Sequence, residues 1–425
     1  MQLHRFLYDS SYLFISNIVA TTFSIISQIV VVRIVTPDEY GRYVVALAIV
    51  NILVATFVTR TNELTLHHVG SEWTAKRYAN ALVKARRIKK HDAGINIAIF
   101  LCLFFLSIVY AERFNIKNTY LAGLSLLIPV QTGYGVYKAL FIMSGNLKKQ
   151  ALFEAYFGIY QSVLIIILGY IFFVPGVIAG LILAALLKNV SAFIMTKKLW
   201  PQKIENISGE RVSDDMGSTL SFGTNSVISS GLANGASMGD VIILNAFQSP
   251  ADVALYKVAK SLSGLPGRGF AAVWTAVRPR LLNAWHSNNT MHAFRLVFLP
   301  ALLALFILGI IIWPLWKLIP TVLTLIYGEF YRKAVTIFFI LLLGTWVFQG
   351  MTSWVRFWLV ISNKMYFGTL LNTLLFLGVT AGGFVYGYKS GESMAVVVSV
   401  SMLVVSVVSW GAFIQEVKKR RLQNT

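Results

Sequence analysis

Charge is scarce in this chain: Asp, Glu, Lys and Arg together make up 13% of 425 residues, against 56% hydrophobic. A soluble globule carries roughly 25% charged and 45–50% apolar residues, so that class is excluded, and a mean hydropathy of +0.69 agrees. There is one cysteine, Cys102. It excludes an intramolecular disulfide and, lying in an apolar run, carries no information on redox compartment. No Cys, His or acid cluster has metal-ligand spacing, since His67 and His68 are adjacent and point to different helix faces. Neither a metal nor a cofactor is expected. There is no G-x-x-x-x-G-K-[ST] loop, which leaves a nucleotide-driven pump without support. The first apolar run lacks a small-residue cleavage site and exceeds a signal-peptide core, so it reads as a retained span. Short alternating segments of the kind that build β-barrels are missing too.

What the chain does have is apolar runs long enough for helices crossing ~30 Å of hydrocarbon. Spans fall near 11–35, 43–66, 92–110, 119–143, 151–173, 177–196, 217–247, 254–277, 296–318, 334–361, 366–388 and 393–414. The expected fold is therefore all-α and polytopic, with about twelve transmembrane helices in two six-helix lobes around a central cavity. Basic residues test this count independently. Twenty-two Lys and Arg fall on the side holding both termini, nine on the other and six inside spans. That bias puts both termini in the cytoplasm. It also accounts for the formal charge of +20 without nucleic acid. The cluster from Lys76 to Lys90 is read first as a topology signal, and secondly as an attraction for anionic lipid.

Six spans stand on each side of the polar stretch "TKKLWPQKIENISGERVSDDMG". The expected division is a lobe over 1–195, a cytoplasmic linker over 196–216 and a second lobe over 217–425. Two echoes mark the halves as copies. "TPDEYGRYVVA" at 36–46 and "SPADVALYKVA" at 249–259 match at Pro37/Pro250, Tyr43/Tyr256, Val45/Val258 and Ala46/Ala259. Gln131, Lys138 and Ser144 match Gln349, Arg356 and Ser362 at a second common offset. Seven residues are two helical turns, so each Gln is expected to share a face with its basic partner. Halves of like orientation are a known transporter architecture.

The stretch 16–50, with Arg33, Pro37, Glu39, Tyr40, Gly41 and Tyr43 around its turn, resembles the opening of the polysaccharide flippases. "SGNLKKQALFEAYFGIYQSV", "LYKVAKSLSGL" and "LIYGEFYRKAVTIFFIL" continue the likeness over most of the chain. The subgroup resembled is the O-antigen and capsule flippases (Wzx type) of the multidrug/oligosaccharidyl-lipid/polysaccharide (MOP) superfamily. Ala254 departs from the pattern where Gly41 keeps it. The resemblance implies transfer of an undecaprenyl-diphosphate-linked oligosaccharide unit across a bacterial inner membrane by alternating access. It further implies lipid contacts, and a polysaccharide polymerase and chain-length regulator as candidate partners.

Ionisable groups inside spans are costly and usually face a cavity or a partner. The basic ones are Arg60, Lys138, Lys188, Lys260, Arg268 and Arg356, against one clearly internal acid, Asp240. With Arg33, Gln131 and Gln349 they form the expected cationic substrate path. Lys188 has snorkelling to headgroups as its alternative, and Arg33, carried over from the family pattern, a role as interface anchor. Arg268 lies within "SGLPGRGF", where Gly and Pro should break the eighth span, and faces either a wet cavity or Asp240. Asp240 is read as a counter-ion to Arg268 or Lys260, or else as a coupling site. Two rivals compete. A drug or cation antiporter of the same superfamily should carry more intramembrane acids than bases. A membrane polysaccharide polymerase should carry a long outer loop, and every outer loop here is short.

Overall fold

The computed structural model describes residues 2–110, 112, 115–145, 147–198, 216–267, 289–353 and 365–423, with 270, 277, 281, 284–285, 287, 355 and 358–359 between them. Every regular element among these is helical. The long ones are α1 (Gln2–Ile34), α2 (Pro37–His68), α3 (Tyr78–Tyr110), α4 (Asn118–Ser125), α5 (Leu127–Val130), α6 (Tyr134–Met143) and α7 (Leu147–Lys197), with the brief α5 included because it interrupts a span. They are followed by α8 (Met216–Phe247), α9 (Pro250–Ser263), α10 (Thr290–Tyr327), α11 (Val335–Val347), α12 (Met365–Val385) and α13 (Gly391–Gln423). Ten stretches of the described residues are long and apolar enough to cross a membrane. One of them, α7, holds two of the expected spans, because it reverses at Phe173 (φ 53°, ψ −136°). The eighth expected span starts as α9, and most of its second half lies outside the described residues. The chain is an all-helical, multi-pass membrane protein.

It divides into two compact units, Met1–Asn234 and Gly235–Thr425, with the boundary inside α8. In the first unit, close packing depends on small residues, as it must where lipid gives helices no hydrophobic drive to associate. A Cβ at Gly176 would lie 1.9 Å from the Leu168 carbonyl oxygen, and one at Gly180 3.0 Å from the Ile165 nitrogen. Only glycine lets the two arms of α7 close at their turn. A Cβ at Gly158 would meet that of Ala20 at 2.8 Å, which seats α1 along α7. In the second unit Gly344 plays this part, with Ser399 2.6 Å from its missing Cβ. The Ser399 hydroxyl donates to the Ile340 carbonyl, joining α11 to α13. Large apolar side chains point outward, among them Phe105, Trp313, Leu325 and Val407, the surface a lipid solvent requires.

The two turns that echo each other in sequence also match in geometry. Thr36 (φ −64°, ψ 152°) caps α2 by accepting the Glu39 N–H. Ser249 (φ −66°, ψ 152°) caps α9 by accepting the Asp252 N–H. Each has Pro in the first helical turn, where its missing N–H costs nothing. Tyr43, Val45 and Ala46 are buried, and so are Tyr256, Val258 and Ala259.

Candidate functional site

The fourth span is not one helix. It runs as α4, α5 and α6, and Gly133, at φ +78°, opens α6 in a left-handed conformation that glycine adopts at no steric cost. Neighbouring helices satisfy the backbone freed there. The Asp92 carboxylate of α3, 6% exposed, accepts the Gly133 N–H at 2.9 Å and the Thr61 hydroxyl at 2.7 Å. The Asn189 amide of α7 donates to the carbonyls of Val130 (2.6 Å) and Thr132 (2.9 Å). Asn96 donates to the Thr132 hydroxyl at 3.1 Å. Irregular backbone at membrane depth survives only with such support. Gln131 sits at this break, half-buried. The expectation of one continuous face for Gln131 and Lys138 is thus corrected, because the helix changes course between them. Arg60 lies within the electrostatic reach of Asp92, and its buried Nε has no hydrogen-bond partner among the described residues.

Beyond the break, α6 presents Tyr134, Tyr137 and Lys138. Lys188 Nζ lies 2.6 Å from Glu154 Oε2 and 4.7 Å from the Tyr134 ring centre. The Tyr134 hydroxyl donates to Glu154 Oε1 at 2.5 Å. Lys138 interacts electrostatically with the same carboxylate. Lys89 Nζ donates to the Tyr137 hydroxyl at 2.5 Å and lies 5.1 Å from the ring centres of both Tyr137 and Phe193. Its stem runs against Gly133, where a Cβ would meet Lys89 Cε at 3.0 Å. Three lysines from α3, α6 and α7 therefore gather around two tyrosines and one carboxylate, leaving two positive charges in excess. Sequence reasoning grouped Lys89 with the topology signal. It also passed over Glu154, although that residue lies well inside the 51-residue α7. Asp92 and Glu154 correct the expectation of a single internal acid: they lie at the inner margins of the expected spans 92–110 and 151–173, and α3 and α7 extend beyond those margins, so that each acid stands inside its helix.

In the second unit, Asp240 is fully buried and lies 2.5 Å from Lys260 Nζ. The Tyr256 hydroxyl donates to the same oxygen at 2.5 Å, and the Val241 N–H to the other at 2.9 Å. Lys260 also donates to the Ser237 carbonyl at 2.6 Å. Of the two partners expected for Asp240, Lys260 is thus at hand, while Arg268 lies outside the described residues, as does Arg356. In the eighth span α9 ends at Ser263 with Gly264 as its cap, 265–267 are again helical, and Gly269 lies with Arg268 outside the described residues. The Thr345 hydroxyl stands 3.0 Å from the Ser263 carbonyl. Gln349 lies in a π-helical turn, Phe348–Thr352, and its Oε1 would be 1.0 Å from a Cβ at Gly267. Both echoed glutamines, Gln131 and Gln349, therefore mark places where a span leaves regular α-helix. Arg33 is exposed near the end of α1. Among the described residues no three His, Cys, Asp or Glu side chains gather as metal ligands would.

This fold is that of the MOP-superfamily transporters. The lipid II flippase MurJ, in an inward-closed conformation, aligns over 98% of this chain and 90% of its own at a TM-score of 0.68 and 12% identity. A MOP-superfamily transporter from Pyrococcus furiosus, with a binding pocket of reversed polarity, aligns over 97% and 96% at 0.68 and 9% identity. A mutant of the Vibrio cholerae MATE transporter VcmN aligns over 97% and 96% at 0.62 and 13% identity. At such identities the likeness is one of fold. No family model matches the chain, and no curated protein does.

Proposed function

We propose that this protein is a flippase for a lipid-linked oligosaccharide, of the undecaprenyl-diphosphate type used in O-antigen or capsule synthesis, working by alternating access in a bacterial inner membrane. The observation that carries the reading is the cluster of Lys89, Lys138 and Lys188 around Tyr134 and Tyr137. A diphosphate leaving water needs fixed donors in exchange for its hydration, and two uncompensated lysine charges inside a helical unit supply them. In the topology read from the basic residues this cluster lies toward the cytoplasmic ends of its helices, the side on which such a lipid is assembled. The shared fold with a lipid II flippase supports a lipid-linked cargo.

The antiporter alternative gains two acids, Asp92 and Glu154, over the sequence count. Each is already engaged, Asp92 by Thr61 and Gly133, Glu154 by Lys188 and Tyr134. An acid so occupied is poorly placed to receive a drug cation. Reconstitution into vesicles with a labelled undecaprenyl-diphosphate oligosaccharide tests the proposal. The label should cross the bilayer with the wild-type chain and slow at least tenfold with Lys138→Ala. Unchanged flipping in that variant, or no flipping by the wild type, counts against it.

A further inference from the structure

Each unit holds a carboxylate between a lysine and a tyrosine, and the two arrangements differ in reach. In the second unit Asp240 is fully buried, with Lys260 and Tyr256 on one oxygen and the Val241 N–H on the other. In the first unit Glu154 has Lys188 on one oxygen at 2.6 Å and the Tyr134 hydroxyl on the other at 2.5 Å. Here the Glu154 and Lys188 side chains keep 28% and 27% of their surface. Tyr134 and Lys138 are half-buried as well. These four side chains present surface to a solute, as Asp240 does not.

The balance of charge differs too. Asp240 and Lys260 cancel, whereas Glu154 stands between Lys188 and Lys138, and Lys138 reaches it only electrostatically among the described residues. A carboxylate offers acceptor oxygens on one centre, as a phosphoryl group does, and both favour ammonium and hydroxyl donors. Glu154 thus occupies, with a single charge, the donors that a phosphate would use. A cancelled pair has nothing to gain from exchange. A carboxylate beside surplus lysine can be replaced with profit by an anion of higher charge. The exposed part of Glu154 also lets the displaced carboxylate meet water, which spares it the penalty of an unpaired buried acid.

We propose that Glu154 is a resident stand-in for the cargo's diphosphate: the arriving diphosphate displaces it from Lys188 and Tyr134, and its return releases the anion. The inference rests on the transport reading of this cluster and assigns an exchange step within it. Without such a competitor, three lysines would hold a diphosphate tightly, and tight binding shows itself mainly as slow release.

The test is titration calorimetry of the full chain in phosphatidylcholine nanodiscs, with inorganic pyrophosphate as probe. Glu154→Gln keeps the shape and an acceptor for Lys188 but gives up the charge. It should bind pyrophosphate about tenfold tighter than the wild type, or more, the worth of one charge-assisted hydrogen bond. In the vesicle assay the same variant should lower KM and kcat together, with Glu154→Asp returning both toward wild type. A carboxylate that merely positions Lys188 would raise KM on removal. Equal or weaker pyrophosphate binding by Glu154→Gln overturns the inference. Infrared difference spectra of the wild type need no variant: millimolar pyrophosphate should alter a carboxylate stretch. Unchanged carboxylate bands overturn the inference even where Glu154→Gln does not fold. A wild type that flips no cargo, beside a variant that binds pyrophosphate more tightly, removes the transport reading and leaves the exchange. Flipping by the wild type with unchanged binding in the variant does the reverse.

Discussion

Lys260 and Asp240 hold one another, but not equally. The aspartate is fully buried, while the lysine is 18% exposed and has the Ser237 carbonyl as a second partner. Lys260→Met strands a buried carboxylate, and breaking a buried pair in this way costs about 3–5 kcal/mol. Asp240→Asn leaves an ammonium that retains the Ser237 carbonyl and is not fully buried. Melting of the detergent-purified variants should therefore show the larger loss for Lys260→Met, with the double change Asp240→Asn/Lys260→Met recovering much of it. Equal losses would mean the exposure difference is irrelevant. Lys89 allows a sharper separation of roles. As one of seven basic residues between Lys76 and Lys90, it is dispensable for orientation. As a partner of Tyr137 and a charge in the cluster, it is not dispensable for transport. Lys89→Met should keep its orientation and abundance in the membrane and lose most flipping, read in the vesicle assay.

The interrupted helices set the next scale. Gly133 and Gly176 are both glycines by necessity, for different reasons. At Gly133 the cause is φ +78°, and the nearest obstacle is the flexible stem of Lys89. Gly133→Ala should cost about 1–2 kcal/mol, the penalty of the left-handed conformation, with the lysine stem yielding. At Gly176 the obstacle is a backbone oxygen 1.9 Å away, which cannot yield without opening the turn of α7. Gly176→Ala should thus accumulate poorly in membranes, while Gly133→Ala accumulates well with a modestly lower melting temperature. In-gel fluorescence of tagged variants decides the first, and thermal denaturation the second. The same contrast explains what could be read beforehand. The Gly/Pro cluster after Ser263 reads as a break, whereas Pro129, Gly133 and Gly135 were passed over inside an apolar run, and the break there shows itself through Asp92 and Asn189.

At the scale of the whole molecule the question is whether the charges in the spans serve stability or transport. Arg268 is the deepest of the basic residues by the sequence reading and comes four residues after Gly264, the cap of α9. Asp240 has its partner in Lys260, so Arg268 is not required to neutralise it. We therefore expect Arg268→Ala to reach the membrane at near-normal levels and fail to restore surface polysaccharide to a strain lacking the protein, with Arg268→Lys restoring part. Normal polysaccharide from the Ala variant would take this residue out of the mechanism. Loss of the protein itself would point instead to a structural role.

The sequence by itself determined the class of fold: hydropathy sets where helices can cross a bilayer, and period and length are local properties that neighbours hardly alter. Its half-length echo marked the caps at Thr36 and Ser249, because capping chemistry is also local. Only the tertiary structure decided which groups meet. Lys89, Lys138, Glu154 and Lys188 stand far apart along the chain, and nothing in their spacing joins them. They converge because α6 turns at Gly133 and α7 folds back at Phe173, each turn stabilised by side chains from other helices or by the close fit of glycine.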